Sequence, residues 1–132
     1  METVKIIPKF TKNQNPKIGL IALSSDYIIE KDFITVMKNK KVDFFVNRIN
    51  VYNPLTKENL IKMSEKVTEV TKNILPDEKI DCVAFGCTSG TIAVGYNSVE
   101  EKIKIAKPNT NVITPSTAAV NALKKLNIKK IY

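Results

Sequence analysis

Histidine is absent from this sequence. That removes the commonest general base, the commonest zinc ligand and every Ser-His or Cys-His dyad. Any catalysis must run on cysteine, carboxylates, lysine, tyrosine, hydroxyls and backbone amides. Arginine is nearly absent too. The net charge is +8, yet only Arg48 among the 21 basic residues is an arginine. Arginine is the side chain that forks onto phosphates and guanine edges, and the lysines are spread out with only short pairs such as Lys124-Lys125. The charge therefore reads as a solvated basic surface, not a nucleic-acid site, although its field would attract anionic small molecules. No apolar run approaches the roughly 20 residues that span a bilayer, so no membrane association is expected. The opening "METVKIIPKFTKNQNP" has no apolar core followed by a small-residue cleavage site. Cysteine is limited to Cys82 and Cys87, with no CxxC spacing. A reducing, cytoplasmic setting is the expectation, with neither disulfide nor metal.

What is present alternates. Residues 1–16 read as an irregular or edge-strand extension ending at Asn15-Pro16. "KIGLIALSS" is the nearly continuous apolar run of a strand buried on both faces. Ile29, Phe33, Val36 and Met37 follow at helical spacing, with Asp26 available as a cap. "VDFFVNRI" reads as a second strand, Asn53-Pro54 as a turn, and Thr56 as the cap of one long helix through Leu75. On that helix Leu60, Met63, Val67, Val70 and Ile74 share a face. "DCVAFG" is the third strand, followed by a helix after Ser89 that breaks near Gly95 and restarts at Asn97 or Ser98. "NVIT" is the fourth strand and Ser116–Asn127 the next helix; "IKKIY" begins a further strand. There are no internal repeats and no low-complexity segment. A strand-helix alternation of this kind predicts a parallel sheet with helices on both faces.

In open α/β sheets, ligands sit beyond the carboxyl ends of the strands. Those ends carry Ser24-Ser25-Asp26, Arg48-Ile49-Asn50, Gly86-Cys87-Thr88-Ser89-Gly90 and Thr114-Pro115-Ser116-Thr117. Each Ser/Thr/Asp cluster taken alone reads as a helix cap. Four such ends with a cysteine among them also suit a small carboxylate, and do not settle the chemistry. Cys87 follows a turn-permitting glycine and precedes a helix, a position that favours the thiolate. Cys82 lies within the strand on the opposite face, too badly placed for a disulfide to Cys87, and reads as core.

"KIGLIALSSDYIIEKDF", "NPLTKENL", "GCTSGT" and "TPSTAAVNAL", in this order, resemble the maleate isomerase, arylmalonate decarboxylase and ectoine-utilisation branch of the Asp/Glu racemase superfamily. The resemblance runs from about Lys17 to Tyr132. It implies a flavodoxin-like sheet of four parallel strands in order 2-1-3-4, with any fifth strand incomplete, over residues 17–132. This would be the first of two similar halves enclosing a cleft. It further implies a cofactor-independent isomerase or racemase acting on a small dicarboxylate or α-substituted carboxylate. In that pattern Cys87 is the first-half catalytic cysteine, as thiolate nucleophile or proton carrier. Thr88, Ser89 and Gly90 match the loop that binds a substrate carboxylate. Ser25 and Asp26 match the first-strand loop, and Thr114, Ser116 and Thr117 the fourth-strand loop.

Cys87 disfavours arylmalonate decarboxylase activity, since those enzymes lack a cysteine there. Asp26 stands where maleate isomerases have asparagine, setting an acceptor-only carboxylate where an amide would donate. The second half, with its own cysteine and a tyrosine after the fifth strand, has no counterpart, and Tyr132 lies too early to be that tyrosine. The expectation is a truncated, exposed half that forms a homo-oligomer, most simply a dimer, and is inactive alone. A non-catalytic carboxylate-binding or interaction module is the alternative from another class.

Overall fold

A computed structural model describes residues 15–130. The elements run β1 (Lys17–Leu23), α1 (Ile29–Met37), β2 (Asp43–Ile49), α2 (Lys57–Ser64), α3 (Val67–Lys72), β3 (Cys82–Phe85), α4 (Thr88–Val94), α5 (Tyr96–Ala106), β4 (Asn111–Ile113) and α6 (Pro115–Lys125). The four strands form one parallel sheet in the order β2-β1-β3-β4, as expected.

β1 is central because its residues are apolar on both faces. Ile21 points into the larger core with Ile49, Met63, Val67, Val83 and Phe85. Leu20 and Ala22 point the other way, joining Ala84 against Ile29, Phe33 and Phe44. Period-two alternation of side chains thus divides one apolar run between two layers. The larger layer is covered by α2 to α5, which supply Leu60, Met63, Val67, Val99 and Ile103. The smaller is thin. Neither α1 nor α6 buries a single residue, and the principal lateral contact is the stack of Phe33 on Phe44 at 5.5 Å.

Several boundaries differ from the sequence reading. The helix expected from Thr56 to Leu75 is two helices, although Thr56 caps the first by accepting from the Asn59 amide at 3.2 Å. At the break, the Ser64 hydroxyl donates to the Ile61 carbonyl at 2.7 Å, competing for the acceptor that the Glu65 amide also uses. Such back-bonding by serine loosens a helix. Of the five apolar residues expected on the shared face, Val70 is only half-buried. The helix after β3 starts at Thr88, capped by Cys87, earlier than Ser89. Gly95, at φ +83°, makes the break that follows, a conformation that costs a side-chain-bearing residue but not glycine. The next helix starts directly at Tyr96, so Asn97 and Ser98 lie inside it and cap nothing. Cys82 is half-buried, not core, as the first residue of β3 at the rim of the sheet; burial still pushes its thiol pKa up. Both cysteines are free. Ile128–Lys130 do not form a strand. Ile131, Tyr132 and most of the N-terminal extension lie outside the described residues. No helix among the described residues is long and apolar enough to cross a membrane.

Lys107 is the one buried lysine among the described residues. Its ammonium donates to the carbonyls of Leu75 (2.8 Å) and Glu78 (2.7 Å), while Leu75 and Asp77 adopt left-handed backbone conformations around it. The cation thus organises the turn that leads into β3. Lys107→Met keeps the stem and strands two carbonyls, a change that should cost about 1–3 kcal/mol. Urea denaturation should show that loss, with exposed Lys79→Met near neutral.

Candidate functional site at the carboxyl ends of the strands

Parallel register fixes where the loops meet. Leu23 is level with Ile49, Ile21 with Phe85, and Ala84 with Ile113. Ser24–Asp26, Asn50, Gly86–Gly90 and Thr114–Thr117 therefore all leave the same end of the sheet, and the predicted site residues fall on these loops.

Cys87 sits at the β3–α4 junction with extended backbone and turns its side chain back as the N-cap of α4. The Gly90 amide donates to its sulfur at 3.2 Å, and the Ser89 hydroxyl lies 3.7 Å from it. The Cys87 carbonyl accepts from the Thr91 hydroxyl at 2.7 Å, which ties the turn to the first helical turn. Cys87 is 3% exposed and packs in the larger core. The reason is the close approach of α2: a Cβ at position 90 would lie 2.9 Å from both the Cys87 sulfur and the Met63 methyl. A side chain at position 90 would have to displace that sulfur and the methyl. The Gly90 amide is accordingly spent on Cys87, whereas Thr88 and Ser89 are exposed and the Thr88 hydroxyl has no hydrogen bond among the described residues.

On the first loop, Asp26 Oδ1 accepts from the amides of Ile28 (2.8 Å) and Ile29 (2.9 Å). Those bonds, that of Ile29 first, hold its carboxyl below the usual carboxylate range. Ser25 is exposed beside it. Arg48 clamps the same loop, donating to the carbonyls of Leu23 (3.0 Å) and Asp26 and to Glu30 (2.8 Å). This role for the sole arginine was not foreseen; its position at the end of a strand was the available signal. On the fourth loop, Thr114 and Thr117 form a reciprocal capping box, with Thr114 buried and Ser116 Oγ 3.2 Å from Thr114 Oγ1.

Locally, then, Thr114 and Thr117 cap α6, whereas Asp26, expected as a cap, holds the turn ahead of α1, whose N-cap residue is Ile28 with no side-chain cap bond. Of the predicted site residues, those left open toward solvent are Ser25, Thr88, Ser89 and, half-buried, Ser116. Together with first-turn amides they can hydrogen-bond an anion, and the adjacent sulfur can act as a nucleophile once it leaves the Gly90 amide. Among the described residues no group of three potential metal ligands comes together. A cavity of about 510 Å³ lies elsewhere, at the amino ends of β3 and β4 beside Lys72, Lys79 and Lys107. Its buried ammonium is already committed to two carbonyls, so size alone does not make it the better candidate.

No protein-family model matches the sequence, and no curated protein matches it. Among solved structures, the maleate isomerase Iso of Pseudomonas putida S16 superposes with a TM-score of 0.72 at 20% identity, covering 86% of this chain and 50% of that one. The fold is that of half a maleate isomerase. The maleate cis-trans isomerase of Nocardia farcinica, solved bound to TRIS, gives a TM-score of 0.68 at 18% identity, with coverages of 85% and 49%. The chain thus spans about half the length of each maleate isomerase it matches.

Because the folded state lowers the pKa of Asp26, the carboxylate contributes stability above its ordinary value near 3.8 and loses it as pH falls through the lowered value. Asp26→Ala should therefore lower Tm at neutral pH, with the difference from wild type narrowing on acidification below pH 3.8. Thermal melts across that range check it; a constant difference would assign the loss to packing.

Proposed function

We propose that this chain is a carboxylate-binding half of a cofactor-independent isomerase or racemase, with Cys87 as its reacting group. The observation that carries the reading is Cys87 at the end of β3, beside exposed Thr88 and Ser89, in a fold shared with two maleate isomerases. A small dicarboxylate or α-substituted carboxylate would hydrogen-bond Thr88, Ser89, Ser25 and Ser116. Addition of the thiolate to one carbon of a cis double bond leaves a single bond free to rotate, and expulsion of sulfur restores the alkene in the trans form. For an α-carbon acid, the thiolate removes the proton on one face.

Either route needs a second group on the opposite face of the substrate. Residues 15–130 bring one sulfur to the strand ends, and Asp26 is engaged by the amides of Ile28 and Ile29. We therefore expect negligible turnover from these 132 residues alone. A second reading, a carboxylate-binding module without chemistry, is favoured by one observation: the sulfur is buried and already holds the Gly90 amide.

Alkylation separates the two. In a Cys82→Ser background, the enzyme-type thiol should label with iodoacetamide below about pH 8, where an ordinary thiol is slow. Maleate or another dicarboxylate should slow that labelling. Dicarboxylate binding with a Cys87 that labels only after unfolding would select the binding module. Turnover of maleate or aspartate that disappears in Cys87→Ala would contradict the expected inactivity of the chain alone.

A further inference from the structure

We propose that Gly90 and Met63 are positioning residues that hold Cys87 in an inward, unreactive rotamer, so that the sulfur reaches the strand ends only by rotation about its own Cα–Cβ bond. This rests on the reading of Cys87 as the reacting group and names what controls it. The backbone of Cys87 is pinned. Its carbonyl accepts from the Thr91 amide at 3.1 Å and the Thr91 hydroxyl at 2.7 Å, and the preceding Gly86 amide donates to the Ile21 carbonyl of β1 at 2.9 Å. That leaves the side chain to move, and a cysteine has one heavy-atom torsion with three staggered positions. In the position observed, the sulfur accepts from the Gly90 amide at 3.2 Å and lies in the larger core with Met63, itself 1% exposed. So deeply buried, it offers a substrate carbon no approach. Leaving costs it that hydrogen bond and its apolar packing, so the inward position is the resting one. The way out is short: the Ser89 hydroxyl is 3.7 Å from the sulfur, and Thr88 and Ser89 are exposed.

Glycine at position 90 makes the inward seat. A Cβ there would lie 2.9 Å from the sulfur, 2.9 Å from the Met63 methyl and 3.4 Å from the Cys87 Cβ. Contacts under about 3 Å force a partner to move. The Met63 methyl is enclosed by the core, whereas the sulfur has solvent close by at Ser89. Alanine at position 90 therefore turns Cys87 outward, with Met63 as the backstop. The substitution suits the backbone, because Gly95 is the one glycine at positive φ among the described residues. Alanine also favours the helix over glycine, so fraying of α4 does not accompany the change.

Iodoacetamide labelling of the full chain in a Cys82→Ser background, at fixed pH and over urea concentrations below the unfolding transition, tests it. With Gly90 in place, Cys87 should label slowly and at a rate that urea hardly changes, since a side-chain rotation exposes little surface. Gly90→Ala should label at least about tenfold faster, with the same indifference to urea. Ile92→Ala, at an exposed position of α4, should leave the rate unchanged. Adding Met63→Ala to Gly90→Ala should slow labelling again, because the displaced sulfur then finds room inside. A parent rate that climbs with urea as steeply as global unfolding overturns the proposal, whether or not Gly90→Ala folds. So does a Gly90→Ala rate equal to that of the parent. A double variant as fast as Gly90→Ala removes Met63 from the arrangement. Maleate separates this control from the function it serves. Fast Gly90→Ala labelling that maleate does not slow keeps the rotamer control and refutes carboxylate binding; maleate protection of a thiol indifferent to Gly90→Ala does the reverse.

Discussion

The parallel pairing of β1 on both of its edges is the constraint on which everything else depends. Its seven residues pair with β2 on one side, and Ile18 to Ile21 pair with β3 on the other. Because all ladders run the same way, every loop that carries a candidate functional side chain exits at one end. Short loops and capped helices then hold those side chains in place. The Arg48 clamp on Leu23 and Asp26 extends the same logic beyond the last ladder bond, tying the first loop to the end of β2. A sheet with β1, β3 or β4 reversed would send Ser25, Thr88 or Ser116 to the opposite end.

A second consequence is the asymmetry of the layers. The face covered by α2 to α5 is packed well enough to bury a cysteine sulfur and to leave a Cβ at position 90 only 2.9 Å from it. The other face carries two helices that bury nothing and leave an apolar gap above Leu20 and Ala84. The two ends of the sheet differ in kind as well. At the amino ends a buried lysine is satisfied by two carbonyls, whereas at the carboxyl ends hydroxyls stand open to solvent.

Fold and topology were legible because their signals are periodic. Four apolar strand-length runs alternating with amphipathic stretches, together with the order of the quoted motifs, led to the observed 2-1-3-4 sheet. The signals that failed are local competitions. Nothing in the spacing of Leu60, Met63 and Val67 reveals that the Ser64 hydroxyl takes a carbonyl and splits the helix. Likewise, "GCTSGT" marks a strand-to-helix turn with a cysteine, but not the rotamer that folds the sulfur inward. That outcome depends on Met63, distant in sequence. The clusters around Asp26 and Thr114 could be read as caps or as site residues. Thr114 makes the bonds of a cap and Asp26 those of the turn ahead of α1, and neighbouring Ser25 and Ser116 keep the freer hydroxyls.

The central claim is that the strand carboxyl ends form one anion-binding surface built from separate loops. An amide-resolved NMR titration of the folded chain with maleate tests it most directly. The account predicts that the backbone amides of Ser25, Thr88, Ser89 and Ser116 shift together and saturate along a single isotherm. Shifts confined to the residues around Lys72, Lys79 and Lys107, or small non-saturating shifts spread over the lysine-rich surface, would contradict it.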